Sequence, residues 1–532
     1  MFNRLVNSLA VVSIIFSFSC AKHRPPVVLH DTRAAERVVV ETVYGPVAGF
    51  VDRGVTAFLG VPYAHPPVGD LRFAPPQKPD KWTHLFPAIS YGPVAHQQPE
   101  NTETASRFFK SEDCLSLNVW TPAADTKHRP VIFFIHGGGF IWGGAADPLY
   151  NGEEFARRGD VVFVSVNYRL GSFGFLYLDH LGKEFKGSGN NGLLDQIAAL
   201  NWVKENISRF GGDPNNVTIM GESAGSISVS ILMASPAGKG LFHKAIAQSG
   251  APNITRSRKE AEELTGVFMD IAGVKDAAGL RKLSADQMID TQVKFLAKYG
   301  LEGDAMFSPV VDGTVIPNDP FKAIADGSAA GIPLLNGTTK DDFRYWIQYM
   351  PLIRFITPGI LMDMAPLYSK RLGKGTEKII NYYKTAYPSE SNGDLSMMIA
   401  TDMVFWYPHV KLSEAQSKNA GTYTYIFAWP SPADGGIYGA MHAIELPFVF
   451  FQLKADPHAV GENPPIDFAK QMNDTWINFA KTGVPSAKGL PEWPAYDTSK
   501  RATMILNVDS NVVYDTRRTE RELFNGVMSL SP

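Results

Sequence analysis

The chain has 532 residues, of which 45% are hydrophobic, and its 50 basic and 53 acidic side chains leave a formal net charge of −3 at pH 7. This composition supports a large folded core and excludes a chain that is disordered throughout. Because the charges nearly balance, nothing in the composition indicates nucleic acid or an anionic membrane as a partner.

The first twenty residues resemble a secretory leader. Arg4 precedes the apolar stretch Leu9–Phe18, which is shorter than the roughly 20 residues that a membrane-spanning helix needs and is typical of a signal peptide. Cys20 follows at a position similar to a bacterial lipoprotein site, where the cysteine becomes the lipidated first residue, although the usual leucine three residues earlier is missing. The alternative is an ordinary cysteine beside another cleavage point.

This leader predicts export of the protein. We expect a periplasmic protein or a lipoprotein attached to the bacterial outer membrane, and otherwise a secreted one, with residues 1–20 as the signal peptide. Residues 21–35, which are polar and contain proline, would then form a tether. Contact with a membrane is expected only through a lipid on Cys20.

A glycine-rich loop follows the predicted buried strand Pro130–Ile135, where residues 136–139 read His-Gly-Gly-Gly. Consecutive glycines let the backbone present N–H groups toward a developing negative charge. In lipases and esterases such a loop forms an oxyanion hole together with the N–H after the nucleophile. We expect Gly138, Gly139 and Ala224 to be the donors, with the histidine supporting the loop; a simple glycine turn is the alternative.

A candidate nucleophile lies farther along the chain. The predicted interior strand that begins at Val217 leads into Gly-Glu-Ser-Ala-Gly at residues 221–225, and a predicted helix follows. Between a buried strand and a helix, Gly-x-Ser-x-Gly is a nucleophile elbow, whose glycines let strand and helix approach closely while the serine stays exposed. The five-residue motif alone occurs by chance in many proteins. Its strand, its helix and the upstream glycine loop favour Ser223 as the nucleophile.

Strand and helix patterns alternate from residue 36 to about 250, which predicts a mainly parallel sheet wrapped by helices. From about 255 to 330 and from 350 to 420 the pattern is helical. Other clear elements, in chain order, are the strand Asp160–Val166, the helix Leu193–Ile207 and the strands Thr422–Trp429 and Ala502–Leu506.

These motifs and several further segments resemble the type-B carboxylesterases, the cholinesterase-like branch of the α/β-hydrolases. The further segments are Leu59–Ala64, Pro66–Gly69, Leu71–Phe73, Ser111–Trp120 and Phe210–Pro214, so the resemblance covers residues 38–510. It implies one α/β-hydrolase domain, residues 36–532, with a central, mostly parallel sheet flanked by helices. It also implies a helical cap over an active-site gorge, formed by insertions at about 255–330 and 350–420.

The resemblance also implies the rest of a catalytic triad, in the order serine, acid, histidine. His442 lies in Tyr438–Phe450, a segment similar to the one that carries the family's catalytic base. Asp342 falls where the family places its carboxylate, but many relatives have Glu followed by Gly there, and this chain has Asp followed by Phe343. Aspartate is one methylene shorter, so the loop or His442 must lie closer, or Asp341 must be reconsidered.

Further roles follow from the same resemblance. Ser249 is similar to a family serine that bonds near the triad, and Glu222 to a carboxylate that orders water and favours developing positive charge. Two pairs resemble the family's buried, structural ion pairs: Arg72 with Glu112, and Arg169 with Asp195. Exported relatives often bridge the Cys114 position to an upstream cysteine, which is missing here, so we expect Cys114 to be an inert buried thiol.

Together these assignments predict a serine carboxylic-ester hydrolase that acts through an acyl-enzyme. We expect small to medium, apolar or aryl esters as substrates. Candidate pocket walls are Trp142, Phe307, Tyr345, Trp346, Phe405 and Trp406. Because no tryptophan lies between Ala95 and Cys114, where cholinesterases bind quaternary ammonium by cation–π contact, the pattern argues against a choline ester.

No cofactor and no metal are expected, since neither metal-ligand spacing nor a phosphate-binding loop is visible. The protein is predicted to act as a monomer on a small-molecule ester, without a nucleic-acid partner. A lactonase, amidase or transacylase with the same triad is the nearest alternative. A non-catalytic binding protein of the same fold is a more distant one, because such proteins typically lack the nucleophile.

Overall fold

A computed structural model describes residues 36–98, 108–299, 305–365 and 370–530. The predicted leader, the tether and Cys20 lie outside these ranges. Across the ranges that are described, no helix combines the length and the apolar character needed to cross a membrane.

One sheet of 13 strands forms the centre of the described molecule. Its strands are β1 (Arg37–Glu41), β2 (Pro46–Asp52), β3 (Val55–Pro62), β4 (Phe86–Pro87), β5 (Ser116–Thr121), β6 (Arg129–Ile135), β7 (Val162–Val166), β8 (Gly212–Glu222), β9 (Lys244–Gln248), β10 (Leu334–Thr339), β11 (Thr422–Phe427), β12 (Ala502–Leu506) and β13 (Asn511–Tyr514). Their spatial order is β1-β2-β3-β5-β7-β6-β8-β9-β10-β11-β12-β13, with β4 beside β2.

The neighbouring strands β7-β6-β8-β9-β10-β11-β12 run parallel. The strands at the two ends of the sheet pair antiparallel, apart from β4, which runs parallel to β2. This arrangement confirms the predicted mostly parallel sheet. Strands β6, β7, β8, β11 and β12 overlap the strands that the hydrophobic pattern predicts, with ends that differ by several residues for some of them.

Strand β6 is apolar from Pro130 to Ile135 because both faces of the sheet are covered. In β6, Val131, Phe133 and Ile135 join one hydrophobic core, whereas the alternating residues Ile132 and Phe134 join a second. A strand covered on one face only would have alternated apolar and polar residues. The continuous apolar run therefore indicates a layer of helices on each side.

Helices that pack on the sheet are Glu153–Gly159, Asn191–Asn206, Ala224–Ala234, Tyr407–Gln416 and Ile466–Thr482. Between β9 and β11 lie the helices Arg258–Ala272, Ala277–Lys282, Ala285–Ala297, Pro320–Ala325, Pro358–Met364, Thr376–Ala386, Asn392–Thr401 and a π-helix, Asp402–Trp406. The remaining described α-helices are Gly171–Phe175, Leu446–Val449, Pro457–Val460 and Arg518–Asn525. The two stretches expected to form the cap, 255–330 and 350–420, thus contain mainly helices.

The buried ion pairs and the buried thiol are present. The Arg169 guanidinium donates to both Asp195 oxygens, at 2.8 and 2.7 Å, and Arg72 Nε donates to Glu112 Oε2 at 2.7 Å. Cys114 is a free, buried thiol, and burial raises its pKa. Because the thiolate is the reactive form, this cysteine is inert in the folded protein.

Candidate active site

The candidate site lies at one edge of the sheet, where the parallel strands end. Ser223 follows β8, Asp342 follows β10, and His442 lies in the loop between β11 and the helix Leu446–Val449. In open parallel sheets the carboxyl ends of neighbouring strands share one edge, which is where such folds place their ligands. Three residues far apart in the sequence are therefore brought to the same place.

Ser223 occupies a strained turn between β8 and the helix Ala224–Ala234, with φ 56° and ψ −124°. Positive φ is costly for a residue with a side chain, and such strain is concentrated at functional sites. The two flanking glycines allow the turn. A Cβ on Gly221 would collide with the Gly225 backbone, and a Cβ on Gly225 would collide with the Ile135 carbonyl. The motif thus serves close packing of strand and helix, as predicted.

The glycine loop after β6 lies beside Ser223 in the same cavity. Gly138 and Gly139 adopt φ values of 103° and 59°. Their amides donate to no backbone carbonyl in the described part of the chain. His136 supports the loop, since its Nδ1 lies 2.8 Å from the Gly137 carbonyl and burial lowers its pKa to about 4, which keeps the ring neutral. The loop can therefore present two N–H donors.

Asp342 holds His442 from one side. Its Oδ1 lies 2.7 Å from His442 Nδ1. Its Oδ2 accepts hydrogen bonds from the Ser249 hydroxyl at 3.2 Å and from the Thr339 N–H at 3.1 Å. This arrangement places the imidazole hydrogen on Nδ1 and leaves Nε2 as the proton acceptor. Ser249 therefore bonds to the acid rather than to the histidine.

Asp341 points elsewhere, although it is the adjacent residue. Its Oδ2 accepts the N–H of Ala440 at 2.9 Å, so its carboxylate holds the backbone of the histidine loop instead of the ring. The His442 N–H also donates to the Asp342 carbonyl, at 3.2 Å. These backbone contacts bring the loop close enough for the shorter aspartate to reach the imidazole.

Glu222 lies on the other side of the imidazole, with its Oε1 3.0 Å from His442 Nε2. This contact lacks the alignment of a hydrogen bond, so Nε2 has no hydrogen-bond partner among the described residues. Burial raises the pKa of Glu222. Burial opposes protonation of His442, but the Glu222 and Asp342 carboxylates outweigh it and raise the pKa of His442. The site therefore favours an imidazolium once a proton reaches it.

Glu445 is a further buried carboxylate that the sequence analysis did not single out. Gln248 Nε2 donates to its Oε1 at 3.3 Å, and the Trp476 indole in turn donates to Gln248 at 3.2 Å. Burial, together with the charges of Glu222 and Asp342, raises the pKa of Glu445. A glutamate three residues after His442, within an apolar segment, was the available signal. The raised pKa favours the protonated form of Glu445, which limits the negative charge near the histidine.

A cavity of about 240 Å³ contains Ser223, Glu222 and His442 in its wall. Four of the expected aromatic residues line it: Trp142, Tyr345, Trp346 and Phe405. Further aromatic residues in the wall, none of which was expected there from the sequence, are Phe108, Phe140, Tyr150, Phe343 and Tyr349. The rings of Phe405, Trp346 and Tyr345 lie 4.8, 5.5 and 5.7 Å from the imidazole, measured between centroids. The histidine therefore works against an apolar, aromatic wall.

Two of the expected wall residues lie elsewhere, which corrects the prediction for them. Phe307 packs in the core between Phe268 and Phe295. Trp406 is covered by the Arg517 guanidinium, 4.2 Å from its ring. Helical periodicity identifies a buried face, but it does not distinguish a core from a cavity wall. Among the residues that the structure describes, no group of three or more His, Cys, Asp or Glu side chains is placed to hold a metal ion.

Comparison with known proteins identifies the family. The sequence profile of the Carboxylesterase family matches residues 36–525. The chain belongs to this family. It is 39% identical over 504 residues to the para-nitrobenzyl esterase of Bacillus subtilis, covering 91% of this chain and 98% of that protein. It is 34% identical to a liver carboxylesterase of Sus scrofa, covering 92% of this chain and 93% of that protein.

The solved structures agree with the family. The carboxylesterase of Geobacillus stearothermophilus superposes with a TM-score of 0.82 at 40% identity, over 92% of this chain and all of that one. This similarity confirms the α/β-hydrolase fold. The protein is a carboxylesterase, a serine hydrolase of carboxylic esters, and a serine–histidine–acid triad is typical of its family.

Proposed function

We propose that this carboxylesterase hydrolyses small to medium, apolar or aryl esters through an acyl-enzyme on Ser223. The observation that carries the proposal is the aromatic cavity whose wall contains both Ser223 and His442, with Asp342 bonded to the histidine. The relative from Bacillus subtilis is named para-nitrobenzyl esterase. A benzyl ring of that kind suits a wall of Trp142, Tyr345 and Phe405, since aromatic rings stabilise one another in stacked and edge-on contacts.

In the proposed mechanism, Asp342 keeps the His442 hydrogen on Nδ1, so Nε2 accepts the Ser223 proton as Oγ attacks the ester carbonyl. The N–H groups of Gly138, Gly139 and Ala224 hold the oxyanion of the tetrahedral intermediate. The imidazolium then gives its proton to the departing alcohol, leaving Ser223 acylated. A water molecule, deprotonated by the same nitrogen, attacks the acyl carbon and releases the acid and the free serine.

The Glu222 and Asp342 carboxylates act at the stage of the catalytic cycle in which His442 is protonated. Proton transfer from serine creates a positive imidazolium, which Glu222 and Asp342 stabilise because both face the ring at hydrogen-bond distance. Ser249 acts one step farther away, by holding the second oxygen of Asp342. We therefore assign Ser223, His442 and Asp342 to the triad, and Glu222 and Ser249 to its support.

A panel of p-nitrophenyl esters with graded acyl length tests the substrate assignment. We expect the highest kcat/KM for short to medium acyl chains, and complete loss of activity after a serine-directed organophosphate modifies Ser223. Peptide mass spectrometry of the inhibited protein locates the modified residue. Absence of hydrolysis across the whole panel, or activity that the organophosphate leaves intact, would contradict the proposal.

The rate should depend on pH through His442. Only the neutral imidazole accepts the serine proton, so kcat/KM should fall as the pH decreases through the His442 pKa. Because the neighbouring carboxylates raise that pKa, the midpoint should lie above the ordinary value of about 6.5. The substitution Glu222→Gln removes one of these charges and should move the midpoint to lower pH.

The measurement is kcat/KM on one good ester from about pH 5 to pH 10, for the wild type, Glu222→Gln and a control. Glu262→Gln is a suitable control, because it removes the same charge from an exposed helix position. Its midpoint should equal that of the wild type. A rate that stays flat between pH 8 and pH 5 would argue against a histidine base.

We also propose that the protein is exported, processed at Cys20 and anchored there by lipid, and that residues 36–532 form a single monomeric domain. The support is the leader sequence and the position of the cysteine. Mass spectrometry of the mature N-terminus tests the processing, and a retained Met1 would contradict export. A Cys20→Ala protein that stays in the membrane fraction would contradict the lipid anchor.

A further inference from the structure

Part of the cavity wall is a π-helix, Asp402–Trp406. Such a turn contains one extra residue, which changes the direction of the side chains around it and is often found at functional sites. Val404 and Phe405 line the cavity, whereas Asp402 and Trp406 do not. We refer to this π-helix as the bulge. It separates the wall residues Val404 and Phe405 from Asp402 and Trp406, which lie behind the wall.

Behind the wall, Asp402 is held by a residue from the end of the chain. The two terminal nitrogens of Arg517 donate to both Asp402 oxygens, with Nη1 2.6 Å from Oδ1. The Tyr383 hydroxyl donates to the same carboxylate. The Arg517 guanidinium also lies 4.2 Å from the centre of the Trp406 ring. Arg517 therefore contacts the first and the last residue of the bulge at once.

This contact constrains the bulge because the Asp402 carboxylate is buried and the pair is planar. Asp402 is 1% exposed, and a bidentate arginine–carboxylate pair fixes orientation as well as distance. Loss of one partner from a buried pair leaves a charge without compensation. Without that partner, Asp402 must take up a proton or move toward water or another partner, and in either case the guanidinium no longer holds the bulge in place.

The same chain segment also forms hydrogen bonds with the loops beside the triad. The Phe343 N–H, next to Asp342, donates to the Thr401 hydroxyl at 3.0 Å. Asn253, on the loop after β9, donates to the Val404 carbonyl at 3.3 Å. These two contacts hold the segment beside the triad, while Arg517 sets the angle at which it turns.

We propose that Arg517, acting through Asp402 and Trp406, is a positioning residue that sets where Val404 and Phe405 lie and thereby determines which acyl sizes the esterase prefers. The inference rests on the ester hydrolysis proposed above. Arg517 does not line the cavity and makes no contact with the triad, so it acts on the reaction only through the segment that carries Val404 and Phe405.

The readout is the ratio of kcat/KM for p-nitrophenyl acetate and p-nitrophenyl hexanoate, which share a leaving group and differ in acyl length. We expect Arg517→Met to change this ratio by about fivefold or more, since one methylene in an apolar pocket is worth about 10-fold or more in discrimination. The change should come mainly from KM. Arg517→Lys keeps the charge but not the bidentate geometry, so it should give an intermediate ratio.

Arg158→Met is a matched control. Arg158 also binds an aspartate, Asp474, at 2.6 Å, and its guanidinium lies 4.8 Å from the ring of Phe451. None of these three residues lines the cavity. This variant should lower the melting temperature without changing the acyl ratio. In Arg158→Met the pH midpoint of kcat/KM should also equal that of the wild type, because this substitution leaves the surroundings of His442 unchanged.

An unchanged ratio in a folded Arg517→Met protein would overturn the inference, as would an equal change in Arg158→Met. If Arg517→Met does not fold, Tyr383→Phe removes one hydroxyl from the same carboxylate. It should move the ratio in the direction seen for Arg517→Lys, and an unchanged ratio would again overturn the inference. A wild-type protein that hydrolyses neither ester would instead contradict the proposed function, so the two failures are distinguishable.

Discussion

Replacement of Ser223 by alanine should lower kcat by about 10⁴- to 10⁶-fold, because loss of the nucleophile removes the acyl-enzyme route and leaves only the oxyanion hole and substrate binding. The fold should stay intact. Alanine keeps the Cβ that the strained turn already accommodates at φ 56°, and only the hydroxyl is lost. The measurement is kcat on one good p-nitrophenyl ester, with folding checked by circular dichroism.

Ser228→Ala is the matched control for this experiment. Its hydroxyl bonds to the Ala224 carbonyl within the same helix, and Ser228 does not line the cavity. The control variant should retain most of the wild-type activity. Undiminished turnover in Ser223→Ala would overturn the assignment of the nucleophile and the mechanism built on it.

The substitution Asp342→Asn should lower kcat/KM by about 10⁴-fold, the loss known for the equivalent change in a serine protease. An amide keeps the shape of the carboxylate but favours the wrong imidazole tautomer. It also removes a negative charge 2.7 Å from His442 Nδ1, which would otherwise stabilise the imidazolium. We expect the loss mainly in kcat, because the acid touches no part of the substrate.

Asp341→Asn provides the comparison, since it makes the same chemical change one residue away. Its carboxylate accepts the Ala440 N–H, and an asparagine oxygen can accept that bond as well, so the loss should be far smaller. Both variants are compared by kcat/KM on one ester, with circular dichroism as the check on folding. A large loss of kcat/KM in Asp341→Asn with a small loss in Asp342→Asn would show that Asp341, and not Asp342, is the acid of the triad.

The sequence by itself determined the fold class and the candidate nucleophile. Strand β6 and the buried second half of β8 are recognisable because both faces of a parallel sheet are covered, which favours apolar residues there. The elbow at Ser223 and the loop at Gly138 are recognisable because their backbone shapes exclude side chains at particular positions. These constraints act within a few residues, so a local pattern is enough to predict them.

Only the tertiary structure decided which neighbours face the imidazole. Asp341 and Asp342 are adjacent and chemically identical. Their roles differ because Asp341 accepts a hydrogen bond from the Ala440 N–H, in the loop that carries His442, whereas Asp342 contacts the imidazole. The family resemblance pointed to Asp342, but the shorter aspartate left the register open. That register depends on how two loops from different strands pack together, which no local pattern encodes.

Packing between distant segments also decides which residues line the cavity. Trp406 matched the aromatic pattern of a lining residue, yet the π-helix turns it toward Arg517, whereas Tyr349 lines the cavity without any sequence signal. The Arg517–Asp402 pair joins residues 115 positions apart. Backbone motifs are set by local steric rules, but the direction of a side chain at a cavity is set by packing between distant segments, which only the folded chain brings together.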